Sequence, residues 1–216
     1  MDYNKEHDNM YIGMEDVKIF DNNNIIEFTA NRVTPDTIKN VEHGIYDIVN
    51  NKVIESRILR YSKRAFIEKN WTLFHTLNNE RMVVYTWNPL TICAMENDEI
   101  CVTHEIPTPR LFNQIRGSSH GVHIGDEIWF LCHIMNYEKR RHYYHIFVVI
   151  HAKTYELIKY SPMFTFEKEK VEYSLGFAYQ KKDDHFLIGY STNDNATKYL
   201  LIGKDIINEM MITHSQ

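Results

Sequence analysis

Residues 119–160, SHGVHIGDEIWFLCHIMNYEKRRHYYHIFVVIHAKTYELIKY, read as four strands in succession. Ser119–Ile124, Glu127–Ile134, His142–His151 and Tyr155–Tyr160 are apolar runs or alternations, and Gly125-Asp126 supplies a hairpin turn between the first two. The same unit recurs on either side. Upstream come Trp71–Thr76, Arg81–Trp87, Leu90–Cys93 and Glu99–Glu105, broken at Asn78-Asn79, Asn88-Pro89 and Glu96-Asn97-Asp98. Further upstream lie Val17–Phe20, Ile25–Val33, Gly44–Val49 and Val53–Tyr61, separated by Asp21-Asn22-Asn23-Asn24 and by Asn50-Asn51. Asparagine tolerates the positive φ that tight hairpins need. Downstream, Val171–Tyr179, His185–Tyr190 and Ala196–Ile202 form a last group that lacks its fourth strand.

About fifteen strands in groups of four, repeating about every 50 residues, match the blade repeat of a β-propeller. The chain is therefore expected to be all-β, a partial or shortened propeller of about three to four blades, with a β-sandwich or barrel as the competing architecture. So few blades predict a fragment of a larger ring, or a ring completed by another copy or a partner chain. Each group opens on polar residues: Gly13-Met14-Glu15-Asp16, Glu68-Lys69-Asn70, Arg116-Gly117-Ser118-Ser119-His120 and Val171-Glu172-Tyr173-Ser174. Such strand starts are expected to converge on one shared site. The one helix signal is Thr34–Asn40, where Thr34-Pro35-Asp36 resembles a helix start. One domain over 11–204 is expected, with a polar N-terminal tail at 1–10 and a C-terminal tail at 205–216.

The 216 residues are 44% hydrophobic and 25% charged, the balance of a globular chain. A net charge of −5 without a basic run argues against nucleic acid as a partner. No apolar run approaches the roughly 18 residues of a membrane helix, and Met1–Met10 is too polar for a signal peptide, so a cytoplasmic location is expected. Cys93, Cys101 and Cys132 are an odd number without regular spacing, which points to free thiols. His120-x-x-His123 and the pair His142 and His145 do not predict a metal site, because i and i+3 on a strand face opposite ways. No phosphate loop, dinucleotide fingerprint or nucleophile elbow is present.

Taken in order, these landmarks resemble the C-terminal part of the five-bladed propellers of glycoside hydrolase family one hundred and thirty, the β-mannoside phosphorylases and glycosidases. Glu15-Asp16-Val17-Lys18 is similar to the family's Glu-Asp-Pro-Arg motif, and Lys69-Asn70-Trp71 with Phe74 to its Lys-Asp-Ala motif. Arg116-Gly117-Ser118-Ser119 leading to Cys132-His133-Ile134 is similar to the Gly-rich start before its Tyr-His-Gly strand. Ser161-Pro162-Met163-Phe164, Val171–Gly176 and Ile188–Asp194 follow its order and spacing, so the likeness runs over residues 11–202. Val17, Lys18 and Asn70 depart from the family pattern.

The resemblance implies inverting cleavage of a β-linked, manno-type glycoside. Asp16 would be the general acid, acting through a sugar hydroxyl, and water or inorganic phosphate would attack the anomeric carbon. Glu15, Lys18, Lys69, Arg116, His133 and Asp194 would surround the substrate or phosphate. No metal or organic cofactor is implied, and the partner would be an oligosaccharide. A different class stays open: a non-catalytic glycan-binding or protein-interaction module on a shortened propeller. The residues also have structural readings. Glu15-Asp16 could cap a strand turn, Lys69 could be a solvated charge, Arg116 could pair with Glu172 or Asp194, and His133 could be a core histidine. Trp71, Trp87 and Trp129 read as blade core rather than sugar platforms.

Overall fold

The computed structural model describes residues 14–22, 25–34, 37–63, 65, 67–136 and 142–214. These residues form four antiparallel sheets arranged as a four-bladed β-propeller. Blade 1 contains β1 (Glu15–Asn22), β2 (Ile25–Thr34), β3 (Thr37–Asp47) and β4 (Lys52–Ile58). Blade 2 contains β5 (Thr72–His75), β6 (Arg81–Trp87), β7 (Leu90–Glu96) and β8 (Glu99–Ile106). After a 3-10 turn at Arg110–Gln114, blade 3 is built from β9 (Ile115–Gly117) and β10 (Val122–Ile124), both paired to β11 (Glu127–Asn136), then β12 (His142–His151) and β13 (Leu157–Tyr160). Blade 4 has three strands, β14 (Glu172–Gln180), β15 (His185–Thr192) and β16 (Ala196–Gly203).

Local chemistry explains the meander. The hairpins turn at residues whose backbone enters the left-handed region: Asn51, Asn79, Asn97, Gly125, Asp184, Asn193 and Asp194 all have φ between 52 and 65°. Asn, Asp and Gly reach that region at low steric cost, so each turn closes a two-strand unit in a defined register. Successive strands then pair with their neighbours, and the first strand of each blade lies innermost.

Three apolar seams hold the blades together. Val41 and Leu59 of blade 1 meet Trp71, Leu73, Val83 and Cys93 of blade 2. Phe74, Met82, Trp87 and Ile92 meet Ile128, Phe130, Ile146 and Val148 of blade 3. Trp129, Leu131, Phe147 and Val149 meet Phe186 and Ile188 of blade 4. Each large side chain of this kind stabilises the fold by about 1.5–3 kcal/mol on burial. All three tryptophans belong to these seams, as expected from their apolar surroundings. Around the axis, β14 of blade 4 packs against β1 of blade 1. Among the described residues, no helix is long and apolar enough to cross a membrane.

Two expectations need correction. Thr34–Asn40 is not a helix: β2 runs to Thr34 and β3 begins at Thr37, with Thr34 paired to Thr37. Pro35 and Asp36 lie outside the described residues, and the ladder on either side of them claims Thr34 and Thr37–Asn40 as strand. The stretch after 204 is not simply a tail. Lys204–Glu209 forms α1, which buries Ile207 in the seam between blades 3 and 4. Ile212–Thr213 forms β17, which pairs with β13 and covers the outer edge of blade 3. The expected N-terminal tail, 1–10, lies outside the described residues.

Candidate functional site

The inner strands β1, β5, β9 and β14 all begin at the same end of the propeller. The meander enforces this, since each blade starts innermost and runs the same way. Residues at these starts therefore approach one another although they are far apart in sequence. Asp16 and Lys18 come from β1, Lys69 and Asn70 precede β5, Arg116 to Ser118 come from β9 and its end, and Tyr173 comes from β14. His133 joins them because β9 pairs with β11 in a register that sets His133 opposite Arg116.

Asp16 sits where the β1–β2 register shifts, between Glu15 and Lys18, with φ of +50°. A bulge of this kind re-aims a side chain. The Asn31 side-chain amide donates a 2.8 Å hydrogen bond to Asp16 Oδ2 and so orients the carboxylate. Asn70 also has a left-handed backbone, φ +61°, and the Tyr173 hydroxyl donates to its Oδ1 at 3.4 Å. Positive φ at two of the converging starts is the type of local strain that clusters at functional sites. Gly117 lets the blades close: a Cβ there would lie 1.8 Å from Thr72 Oγ1 and 2.6 Å from the Asn70 carbonyl.

The electrostatics are unusual for a core. Lys18 is only 2% exposed. Burial lowers its pKa to about 8, opposed by the Asp16 carboxylate and by Cys132. Burial also pushes His133 well below its ordinary value, assisted by His145 and by the positive charges of Lys18, Arg116 and Lys69. His133 is thus a neutral imidazole set among cations. Its ring lies 5.0 Å from that of Tyr173, edge-on, and 5.9 Å from that of Tyr143. Tyr173 is raised well above the usual phenol range by burial and then by the Asp16 charge and Tyr143, with Arg116 opposing. Among the described residues the Arg116 guanidinium forms no ion pair and no side-chain hydrogen bond.

A cleft of about 490 Å³ opens beside this cluster, between blades 2 and 3. Lys69, Asn70 and Arg116 line it with Trp87, Asn88 and Phe112, and among the described residues no carboxylate contributes to its wall, nor do Lys18 and His133. Its size suits a small-molecule site, typically about 300–1,000 Å³.

The expected site residues divide into two sets. Asp16, Lys18, Lys69, Arg116 and His133 come together at the strand starts. Glu15 heads the same strand, opposite Asn31. Asp194 does not join them: it is exposed in the β15–β16 turn. Nor does Glu172 pair with Arg116. Both its oxygens accept backbone N–H groups, from Phe166 at 2.6 Å and from Glu167 and Glu169 at 2.8 Å, so it organises the approach to blade 4. His120 is structural, with Nε2 3.1 Å from the Lys18 carbonyl and Nδ1 3.3 Å from that of Leu73. Burial lowers its pKa to about 3. Among the described residues, no group of three or more His, Cys, Asp or Glu is placed to hold a metal. Asn31 and Tyr143 were not among the expected residues, while Ser118 and Tyr173 belonged to the strand starts expected to converge but were assigned no role of their own. Tyr173 carried a usable signal, since it stands at the opening of the fourth repeat; Asn31 carried none.

No protein-family model and no curated protein sequence matches this chain. Solved structures do. A β-1,2-mannobiose phosphorylase from Listeria innocua superposes with a TM-score of 0.69 at 10% identity, over 94% of this chain and 62% of that one. A GDP-Man-dependent mannosyltransferase from Leishmania mexicana gives 0.62 at 14% identity, over 89% and 69%. A mannose phosphorylase from the same organism, solved with a phosphate ion, gives 0.59 at 9% identity, over 96% and 72%. The chain spans less than two thirds of the length of the first of these. At such identities the likeness is one of fold, and it identifies the chain as a β-propeller similar in structure to these three proteins.

Proposed function

We propose that this propeller is a carbohydrate-active protein that cleaves a β-linked, manno-type glycoside by inverting phosphorolysis at the convergent strand starts. The observation that supports this reading is the gathering of the Asp16 carboxylate with the cations Lys18, Lys69 and Arg116 and the neutral donor His133. Inverting hydrolysis needs a second carboxylate as base, usually about 6.5–9.5 Å from the acid. Glu172, the buried carboxylate nearest in the chain to Tyr173, has both oxygens committed to backbone N–H groups. Phosphate brings its own nucleophilic oxygen and asks instead for cations and donors. The structural likeness to two phosphorylases agrees with this choice.

In the reaction, a phosphate oxygen attacks the anomeric carbon as the bond to the departing sugar breaks. The departing oxygen takes a proton that originates at Asp16 and passes through a sugar hydroxyl. Inversion of a β-glycoside gives an α-sugar 1-phosphate and a free sugar. Lys18 and Arg116 offset the phosphate charge, and Lys69 stands at the cleft through which the glycan enters. The scheme uses no metal or organic cofactor.

A second reading, glycan binding without turnover, is favoured by Lys18 and Asn70. They stand where the resemblance calls for Arg and Asp. Lysine lacks the bidentate fork that matches phosphate, and Asn70 cannot supply a charge. Incubation with β-1,2-mannobiose and phosphate, followed by phosphorus NMR, separates the two. Appearance of α-mannose 1-phosphate establishes phosphorolysis. Calorimetric binding of the disaccharide without that product assigns a binding module, and the absence of both overturns the carbohydrate reading.

A further inference from the structure

His133 is 2% exposed and lies at the centre of the cluster, but a neutral imidazole can present either a donor or an acceptor there. Which edge it presents depends on what holds its other nitrogen. Ser118 Oγ lies 2.8 Å from His133 Nδ1. Ser118 is completely buried, and its backbone N–H is pinned to the Leu131 carbonyl at 3.3 Å. Among the described residues the hydroxyl has no other partner. If Nδ1 carried the proton and donated to Oγ, the serine proton would be left buried and unpaired. That arrangement strands two buried groups, the serine proton and the Nε2 lone pair, whereas donation from Oγ to Nδ1 satisfies Oγ and Nδ1 and strands only one, the Nε2 proton. The ring proton then resides on Nε2, where no hydrogen bond from the described residues is made.

We infer that Ser118 is a positioning residue that locks His133 as an Nε2–H donor, aimed at an acceptor oxygen of the bound ligand. The ligand class follows: a phosphate oxygen or the lone pair of a sugar hydroxyl, either of which accepts from Nε2–H. Neutrality matters as much as direction. Lys18 and Arg116 supply charge, and His133 adds a directed hydrogen bond without a further buried cation. Burial, which keeps His133 uncharged, supports the assignment. The ligand class rests on the proposed function; the tautomer does not.

The test is nitrogen NMR of the histidine rings in the full chain, with Ser118→Ala and Ser118→Cys compared. Cysteine nearly keeps the size but is a weak donor. In the wild-type protein His133 should show an acceptor-type Nδ1 and a protonated Nε2; a protonated Nδ1 overturns the inference, whatever the variants do. Both variants should shift His133 toward a mixture of tautomers, and an unchanged tautomer in either folded variant also overturns it. Titration with inorganic phosphate, and separately with β-1,2-mannobiose, should move the Nε2 resonance. A response to mannobiose alone sustains the role of Ser118 and counts against phosphorolysis; a response to neither overturns the ligand-facing role. In turnover, Ser118→Ala should raise the KM for phosphate about tenfold with kcat changed less than about twofold, as for loss of one hydrogen bond made equally in ground and transition states.

Discussion

The two ends of the inner strands carry similar residues and put them to opposite uses. Where β1 and β5 finish, Glu27 is fully buried and surrounded by donors. Asn22 donates at 2.7 Å, Arg81 Nε at 2.8 Å, and the Nε2 atoms of His43 and His75 lie at 2.7 and 3.2 Å. Burial alone would favour protonation of Glu27, but the hydrogen bonds from His43, His75, Arg81 and Asn22 outweigh it and hold the carboxyl far below its usual range. Blades 1 and 2 are tied together by a charge whose partners are all protein. Where the same strands begin, neither the buried Lys18 nor Arg116 forms an ion pair among the described residues, and the buried His133 is neutral. A cluster satisfied from within reads as structure. A cluster of cations and donors held in a strained frame, in which Lys18 and Arg116 form no ion pair among the described residues, reads as a site.

The sharpest way to break this contrast is to remove one carboxylate from each end. Asp16→Asn should lower turnover by about 10²–10⁴-fold, the usual worth of a general acid, with the melting temperature nearly unchanged. Steady-state kinetics beside calorimetry checks both, and a large loss of stability would move Asp16 to the structural class. Glu27→Ala should do the reverse. Removing one partner from a buried charged network costs about 3–5 kcal/mol, read as a fall in the denaturant midpoint, while the protein that remains folded keeps its ligand affinity.

Lys18→Met sharpens the comparison at a smaller scale. A buried lysine without an ion pair costs stability, so methionine should leave the fold as stable or more so while phosphate binding weakens about tenfold or more. The pH dependence carries a sign. Folding lowers the Lys18 pKa to about 8, against about 10.4 in the unfolded chain, so the unfolded state binds more protons between those values. Stability should therefore rise with pH across that window in the wild type, and this contribution should vanish in Lys18→Met. Glu27 acts in the acid range: its depressed pKa means its stabilisation is present above the unfolded carboxylate value and is lost as pH falls below it. Arg116→Lys should have the smallest effect, a weakening of phosphate affinity by about threefold to tenfold, since charge is kept and the planar fork is lost. An unchanged affinity, measured by calorimetry, would separate Arg116 from the anion.

Much of this propeller is legible as strands because its hairpins announce themselves. Asn51, Asn79, Asn97 and Gly125 turn at the punctuation the chain displays, and the apolar runs between them become β6, β7, β11 and β12. Thr34–Asn40 misleads because Thr34-Pro35-Asp36 resembles a helix start, while the ladder claims Thr34 and Thr37–Asn40 as strand. The pairing of Thr34 with Thr37 is made by partners elsewhere in blade 1. Ile212–Thr213 is too short to show periodicity, and it is a strand only because the edge of β13 is available to it.

The candidate site divides in the same way. The family resemblance singles out Asp16, Lys18, Lys69, Arg116 and His133, while the strand pattern by itself shows only that polar residues open each repeat and that a meander sends those openings to one end. That much is settled by local turn chemistry and by a period-two pattern, both of which act over a few residues. What only the tertiary structure decided is which side chains meet across blades. The Ser118–His133 contact depends on how β9 and its continuation lie against β11, the Asn31–Asp16 bond on a bulge in β1, and the Tyr173–Asn70 bond on the approach of blade 4 to blade 2. The burial that makes Lys18 and His133 chemically unusual has the same origin. Desolvation is set by everything packed around a group, and no stretch of sequence around Lys18 or His133 records it.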